Sequence, residues 1–196
     1  MATINLVPYK PVAGVASDAT AIDNAFDTLQ ALANGGIDNN NVAAGAGIAL
    51  SKLTVPIVRV TRTAVMAITT GTLTAVAFDS ENFDANSLHD TVTNNSRLTC
   101  GTAGKYWVHG KVRFDANATG YREAWLKLNN TTFQAHSGSI LPAAFNGNFA
   151  TCEVWSTISL NVGDYVELFV QQTSGGNLNL LQASNYEPIF EMAQVA

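Results

Sequence analysis

FDSENFDANSLHDTVTNNSRLTCGTAGKYWVHGKVRF, residues 78 to 114, is a polar, acidic, asparagine-rich stretch framed by apolar segments, and its last third decides how the chain folds. There Tyr106, Val108, Gly110, Val112 and Phe114 share one parity, and Trp107, His109, Lys111 and Arg113 share the other. Side chains alternate faces along a strand, so this is a strand with one buried face and one that carries chemistry or meets a partner.

Working outward, similar short apolar runs separated by turn residues fill the chain from Ile57 onward. Strands are expected at 57–68, 72–78, 97–100, 105–114, 121–129, 132–136, 151–160, 165–172, 178–182 and 187–195, with no helix among them. That spacing reads as an all-β sandwich or jelly roll. Long loops are expected at 79–96, 115–120 and 135–149.

The N-terminal part reads differently. Pro8 and Pro11 fix φ and remove donors, so residues 1–16 read as an extended arm. Ser17 or Asp18 then caps a helix running to about Ala33 and closed by Asn34-Gly35-Gly36. Its stripe Ile22, Ala25, Phe26, Leu29 and Leu32 resembles a coiled-coil seam of about two heptads, too short to hold alone in water. It therefore needs a partner: its own domain, copies of itself, or a larger assembly. Residues 37–56 are a connector of small residues ending at Pro56. The domain expectation is thus an anchor over 1–36, a connector over 37–56 and a head over 57–196.

Composition narrows the function. The 196 residues are 47% hydrophobic, enough for one full domain with an appendage, while charged residues are only 13%. A net charge of -5 argues against a nucleic-acid partner, which requires clustered Lys and Arg. No segment approaches the roughly 18 apolar residues of a membrane span, and the opening residues lack a signal-peptide core, so synthesis in a cytoplasm without membrane insertion is expected. Cys100 and Cys152 lie on apolar parities and are expected to stay reduced in the core. With no export signal expected, the sequons at Asn94, Asn117, Asn129 and Asn130 are read as Asn/Thr richness rather than glycosylation sites.

Several blocks carry a family resemblance. Phe78-Asp79, His89-Asp90, Asn95-x-Arg97, Gly104-x-Tyr106, the Gly163-Asp164 turn before Tyr165 to Val170, and a closing aromatic strand at Phe190 resemble the tumour-necrosis-factor-like jelly roll of complement globular heads, in a form met in phage and bacterial proteins. The resemblance covers roughly the last 140 residues, a normal size for one domain. Ile37 and the run Ile48 to Leu53 resemble a segment near the base of phage tail and fibre proteins. What the resemblance implies is a non-enzymatic bacteriophage virion protein, made in the host cytoplasm: a trimeric short fibre or spike that projects a jelly-roll head for host adsorption. A capsid decoration protein is the alternative, and a carbohydrate-binding or carbohydrate-active head the third.

The chemistry-bearing residues have plainer roles as well. Asp79, Glu81, Asp84, His89 and Asp90 supply oxygen ligands enough for calcium, but in no EF-hand spacing, and Asp equally forms turns by bonding its own backbone. No nucleophile elbow accompanies His89, His109 or His136, and no cofactor motif is present, so neither an enzyme nor a cofactor is expected. The most specific signal is the outward parity. Trp107, Trp125 and Trp155 fall there with His109, Lys111, Arg113, Glu123 and Lys127, the composition of an interface core, and heads of the resembled superfamily pack as trimers through such a sheet face. A sugar-stacking platform competes with that homotrimer contact. Ile4, Leu6, Tyr9, Ile22, Phe26 and Leu29 are expected to anchor the chain on other virion proteins. His136, Ser137, Asn146 and Asn148 form a candidate receptor loop for host surface glycan.

Overall fold

A computed structural model describes residues 26–30, 42, 45–48, 54–134, 138–143, 148–183 and 185–196. Contacts within the chain divide it into two compact units, Met1–Ala49 and Leu50–Ala196. In the first, residues 26–30 are helical, within the stretch where capping and periodicity predict a helix, and Phe26 and Leu29 are exposed. The expected arm and the remainder of that helix lie outside the described residues.

The second unit is built from strands: β1 (Ile57–Thr61), β2 (Met66–Ile68), β3 (Thr74–Ala75), β4 (Ser80–Ala85), β5 (Arg97–Thr99), β6 (Gly104–Phe114), β7 (Tyr121–Leu128), β8 (Thr132–Phe133), β9 (Ser139–Pro142), β10 (Ala150–Leu160), β11 (Tyr165–Gln172), β12 (Leu178–Leu180) and β13 (Ile189–Gln194). All pairings are antiparallel. In the front sheet β1 lies between β4 and β13, β13 pairs with β6, and β6 pairs along its whole length with β10. β12 touches the end of β6 at Leu180 opposite Phe114 and carries β2. In the back sheet β11 takes β7 on one edge and β3 and β5 on the other, while β7 carries β8 and β9. The two sheets make a jelly-roll sandwich, the expected all-β fold.

Alternation builds the core. Tyr106, Val108, Val112 and Phe114 of β6, Cys152, Val154, Ile158 and Leu160 of β10, and Val166, Leu168 and Val170 of β11 are buried together. Each fully buried Val, Leu, Ile or Phe contributes about 1.5–3 kcal/mol. At the centre of β6 stands Gly110, where a Cβ would come within 2.8 Å of the Leu168 side chain; the missing side chain is what lets Leu168 cross from the back sheet.

The structure differs from the sequence expectation at three places. The run 57–68 is two strands, β1 and β2, with Arg62 to Val65 between them. The expected loops 79–96 and 135–149 each contain a strand, β4 and β9. Both are edge strands with half-exposed or polar side chains, SENFDA and SILP, held by backbone pairing to β1 and β7 rather than by a buried face. Strands of that kind leave little periodicity to read. β4 also carries an irregularity: Phe83 pairs with Arg59 and Glu81 with Val60, so Asn82 is the extra residue of a bulge.

Polar groups close the sandwich ends. Arg122 points inward from β7 and is fully buried; its guanidinium donates to the carbonyls of Thr119 at 3.0 Å, Tyr121 at 2.9 Å and Asn117 at 3.3 Å. Burial pulls its pKa down. At the same end of the chain's fold, buried Gln172 donates to the carbonyls of Ile68 and Gly176 and accepts from the Ser174 N–H. Arg122→Met is expected to lower stability by about 2–4 kcal/mol, because the loop carbonyls of Asn117 and Thr119 lose their donor, and urea titration reads this directly. Burial pushes the Cys152 thiol up to about 12. Both cysteines are free and buried, so Cys152 is expected to resist iodoacetamide at about pH 8 and to label only in denaturant, as peptide mass spectrometry would record.

Candidate functional site

The eight outward residues expected to form one interface lie on two faces. Trp107, His109, Lys111 and Arg113 come from β6 and Trp155 from β10, so these five share the outer face of the front sheet. Glu123, Trp125 and Lys127 come from β7 and lie on the outer face of the back sheet. Parity distinguishes inside from outside along each strand but carries no information on which sheet the strand joins, which is why the three tryptophans read as one group.

Antiparallel registry lines up the front face in a row across the sheet: Phe83, Arg59, Glu191, His109 and Trp155. The Arg59 Nε donates to Glu191 Oε2 at 2.6 Å. The ring nitrogens of His109 face two carboxylates, Nδ1 at 2.8 Å from Glu191 Oε1 and Nε2 at 2.8 Å from Glu153 Oε1. The Trp107 ring stacks on the imidazole with centroids 5.4 Å apart. Arg59 also lies 5.6 Å from the centre of the Phe83 ring, which the bulge in β4 brings opposite it. These polar groups are thus bonded among themselves, while Trp155 at one end of the row is 64% exposed and Phe83 at the other end is exposed too, as are Ile57 and Trp107. A depression of about 250 Å³ lies between Phe83, Ile57, Trp107 and Ala193. Farther along the face, the Arg113 guanidinium lies over the exposed rings of Phe149 and Tyr186, 4.7 and 4.1 Å from their centres.

On the back face the Trp125 ring meets the Phe133 ring edge-on at 5.7 Å. Lys127 Nζ lies 5.2 Å from the Phe133 centroid and 4.9 Å from that of Phe169. A cleft of about 320 Å³ opens between Leu73, Trp125 and Phe133, with Glu123 and Gln171 at its edge.

A third depression, about 480 Å³ and mostly polar, lies at one end between the 87–99 stretch and the Gly163 turn. Arg97 stacks 4.0 Å from the centre of the Tyr165 ring and stands 3.6 Å from Glu167, whose Oε1 also accepts from the Ser96 hydroxyl at 2.6 Å. The acidic stretch beside it is engaged with backbone N–H groups and with a histidine. Asp84 accepts from the N–H groups of Leu88 and His89, Asp90 from those of Val92 and Thr93, and Asp79 from Thr63 and Ala64. The His89 side chain is buried between Glu81 Oε1 at 2.9 Å and the Asn95 carbonyl at 3.2 Å. Among the described residues no group of three or more His, Cys, Asp or Glu side chains is arranged to hold a metal ion.

Of the remaining sequence candidates, Phe26 and Leu29 are exposed on the helical residues and Asn148 is exposed just before β10. Ile4, Leu6, Tyr9, Ile22, His136, Ser137 and Asn146 lie outside the described residues. Sequence reading missed Phe83, Arg59, Glu153 and Glu191 on the front face and Leu73, Phe133 and Gln171 on the back. They belong to strands far apart in the chain, and only cross-strand registry joins them.

No protein-family model matches the chain, and no curated protein matches it. Solved structures do. Murine APRIL at pH 5.0 superposes with a TM-score of 0.56 at 8% identity, over 72% of this chain and 99% of that one. The globular domain of zebrafish complement 1qA protein superposes with a TM-score of 0.52 at 15% identity, over 72% of this chain and 98% of that one. These likenesses are of fold: the jelly roll is of the tumour-necrosis-factor and complement-head type.

The carboxylate caps have a consequence for acid stability. Partial burial raises the Asp79 carboxyl, but the Thr63 and Ala64 N–H groups and the Thr63 hydroxyl outweigh it and hold it below the usual carboxylate range. The Thr93 and Val92 N–H groups do the same for Asp90, and the Asn129 amide and Asn161 N–H for Asp164. A folded value below the unfolded one means that the unfolded chain takes up protons first as pH falls. The stabilisation is therefore complete above the unfolded value of about 3.9 and is lost as pH drops through the folded values. Thermal midpoints are expected to fall steeply below about pH 4, and Asp79→Asn to remove part of that slope, as calorimetry across pH would show.

Proposed function

We propose that this chain is a non-enzymatic structural protein of a bacteriophage particle, a short fibre or spike whose jelly-roll head assembles as a homotrimer and is projected for host adsorption. One observation carries the assembly reading: the front face joins exposed Trp155, Trp107, Phe83 and Ile57 around polar and charged side chains that are hydrogen-bonded to one another. A face of that composition gains by being covered, since the aromatic area leaves water while the charges keep their partners. The trimer is the arrangement implied by the family resemblance of the Gly104-x-Tyr106 and Gly163-Asp164 blocks.

The non-enzymatic reading is supported by how the polar side chains are used. The carboxylates Asp79, Asp84, Asp90 and Asp164 cap backbone or amide N–H groups, and His89 and His109 are each held between fixed partners. The N-terminal residues, with Phe26 and Leu29 exposed on their helical turn, are assigned to attachment on other virion proteins. Location in the virion follows from the same reading.

Sedimentation of the full chain at micromolar concentration is expected to give a trimer. Trp155→Ala is expected to weaken assembly by about 2–4 kcal/mol, whereas Trp125→Ala, on the opposite face, leaves it intact. A monodisperse monomer of the unaltered chain would refute the assembly. A map of the assembled particle tests the rest: few copies projecting from the tail or a vertex fit the fibre, and many copies lying on the capsid lattice fit a decoration protein instead.

A further inference from the structure

The cleft on the back face is not used by the assembly proposed for the front face, and its chemistry is specific. Three groups form its apolar wall: Leu73, Trp125 and Phe133. The Trp125 ring is held in place from two sides. Phe133 meets it edge-on, and Gly138 lies so close beneath it that a Cβ there would overlap the six-membered ring. A glycine at 138 is therefore a condition for this ring position. Phe169, beside Trp125 on the neighbouring strand, is buried with Lys127 over its ring.

At the edge of the cleft stand Glu123 and Gln171, direct cross-strand neighbours on β7 and β11. Of the other carboxylates on the back-sheet strands and the Gly163 turn, Glu167 accepts from Ser96 and lies by Arg97, and Asp164 accepts from Asn129. Among the described residues the Glu123 and Gln171 side chains have no hydrogen-bond partner, so a carboxylate and a carboxamide sit side by side, open to a ligand. An aromatic ring fixed next to two planar polar groups matches one ligand chemistry well. A pyranose ring offers an apolar C–H face to stack and pairs of hydroxyls that both donate and accept.

Charge discriminates against the other occupants. A cation would be drawn to Glu123 and the rings, but Lys127 already takes the cation position over Phe133 and Phe169. A phosphate or carboxylate would meet Glu123 in a chain of net charge -5. The volume of about 320 Å³ lies at the lower end of the roughly 300–1,000 Å³ of small-molecule sites, which suits one or two sugar units.

We infer that the Leu73, Trp125, Phe133 cleft, with Glu123 and Gln171 at its edge, binds a neutral hexopyranose unit of a glycan chain. The site is complete within one copy of the chain and rests on no part of the particle reading. It differs from the receptor loop expected at His136, Ser137, Asn146 and Asn148, being built on the sheet rather than on loops.

The test titrates the full chain with cellobiose, maltose, lactose and N,N′-diacetylchitobiose, reading intrinsic tryptophan fluorescence and saturation-transfer NMR. At least one is expected to saturate with a Kd on the order of 1 mM. Trp125→Ala abolishes that signal, and Glu123→Ala and Gln171→Ala each weaken it about three- to tenfold. Raising salt from about 0.05 to 0.5 M leaves it unchanged, because no ion pair is involved. Thermal melts verify folding of each variant. If Trp125→Ala does not fold, the two edge variants decide alone, since among the described residues their side chains make no hydrogen bond. Sedimentation on the same samples separates this from the assembly reading, as sugar binding and trimer formation are lost independently. The inference is overturned if none of the four saccharides binds the unaltered chain, if binding survives both edge variants, or if choline chloride binds while the saccharides do not.

Discussion

The strict alternation along β6, paired on both sides, is the constraint on which the rest depends. With β13 on one edge and β10 on the other, its inward residues lie at the centre of the core and its outward residues at the centre of the front face. A slip of one residue would carry Trp107, His109 and Lys111 into the core and Tyr106, Val108 and Val112 into water, so burial and surface chemistry are fixed together. Gly110 sits at the crossing point, its missing side chain replaced by Leu168 from the other sheet.

Such a sandwich leaves open ends, and the chain closes them with polar side chains that bond the carbonyls and N–H groups of the loops there. Arg122 draws the 117–121 carbonyls inward, Gln172 holds the 174–176 turn to the Ile68 carbonyl, and the aspartates tie down the N–H groups of their own loops. Among the described residues many of the few charged side chains are engaged in this way, in a chain with only 13% charged residues.

The two outer faces follow from different ways of using aromatic side chains. On the front, exposed rings surround charges satisfied by one another, leaving area to be covered. On the back, a single ring packs against Phe133 and Gly138 beside two polar groups that have no hydrogen-bond partner among the described residues, leaving hydrogen bonds to be made. The first arrangement favours a large protein surface and the second a small polar ligand. A head with both would assemble through one face while the other stayed open.

The sequence by itself determined the all-β class, the inward residues of β6, β10 and β11, and the outward position of all three tryptophans, because period-two alternation is a local property. The turn role of the acidic residues was also within its reach, since Asp84 and Asp90 bond N–H groups at most five positions away. Only the tertiary structure decided that Trp125 faces away from Trp107 and Trp155, that Phe83 joins the front face through a bulge, and that Gln171 stands beside Glu123. Those relations depend on which strands pair and in what register, and strands such as β4 and β9, held by backbone bonds at a sheet edge, leave no side-chain pattern from which pairing can be read.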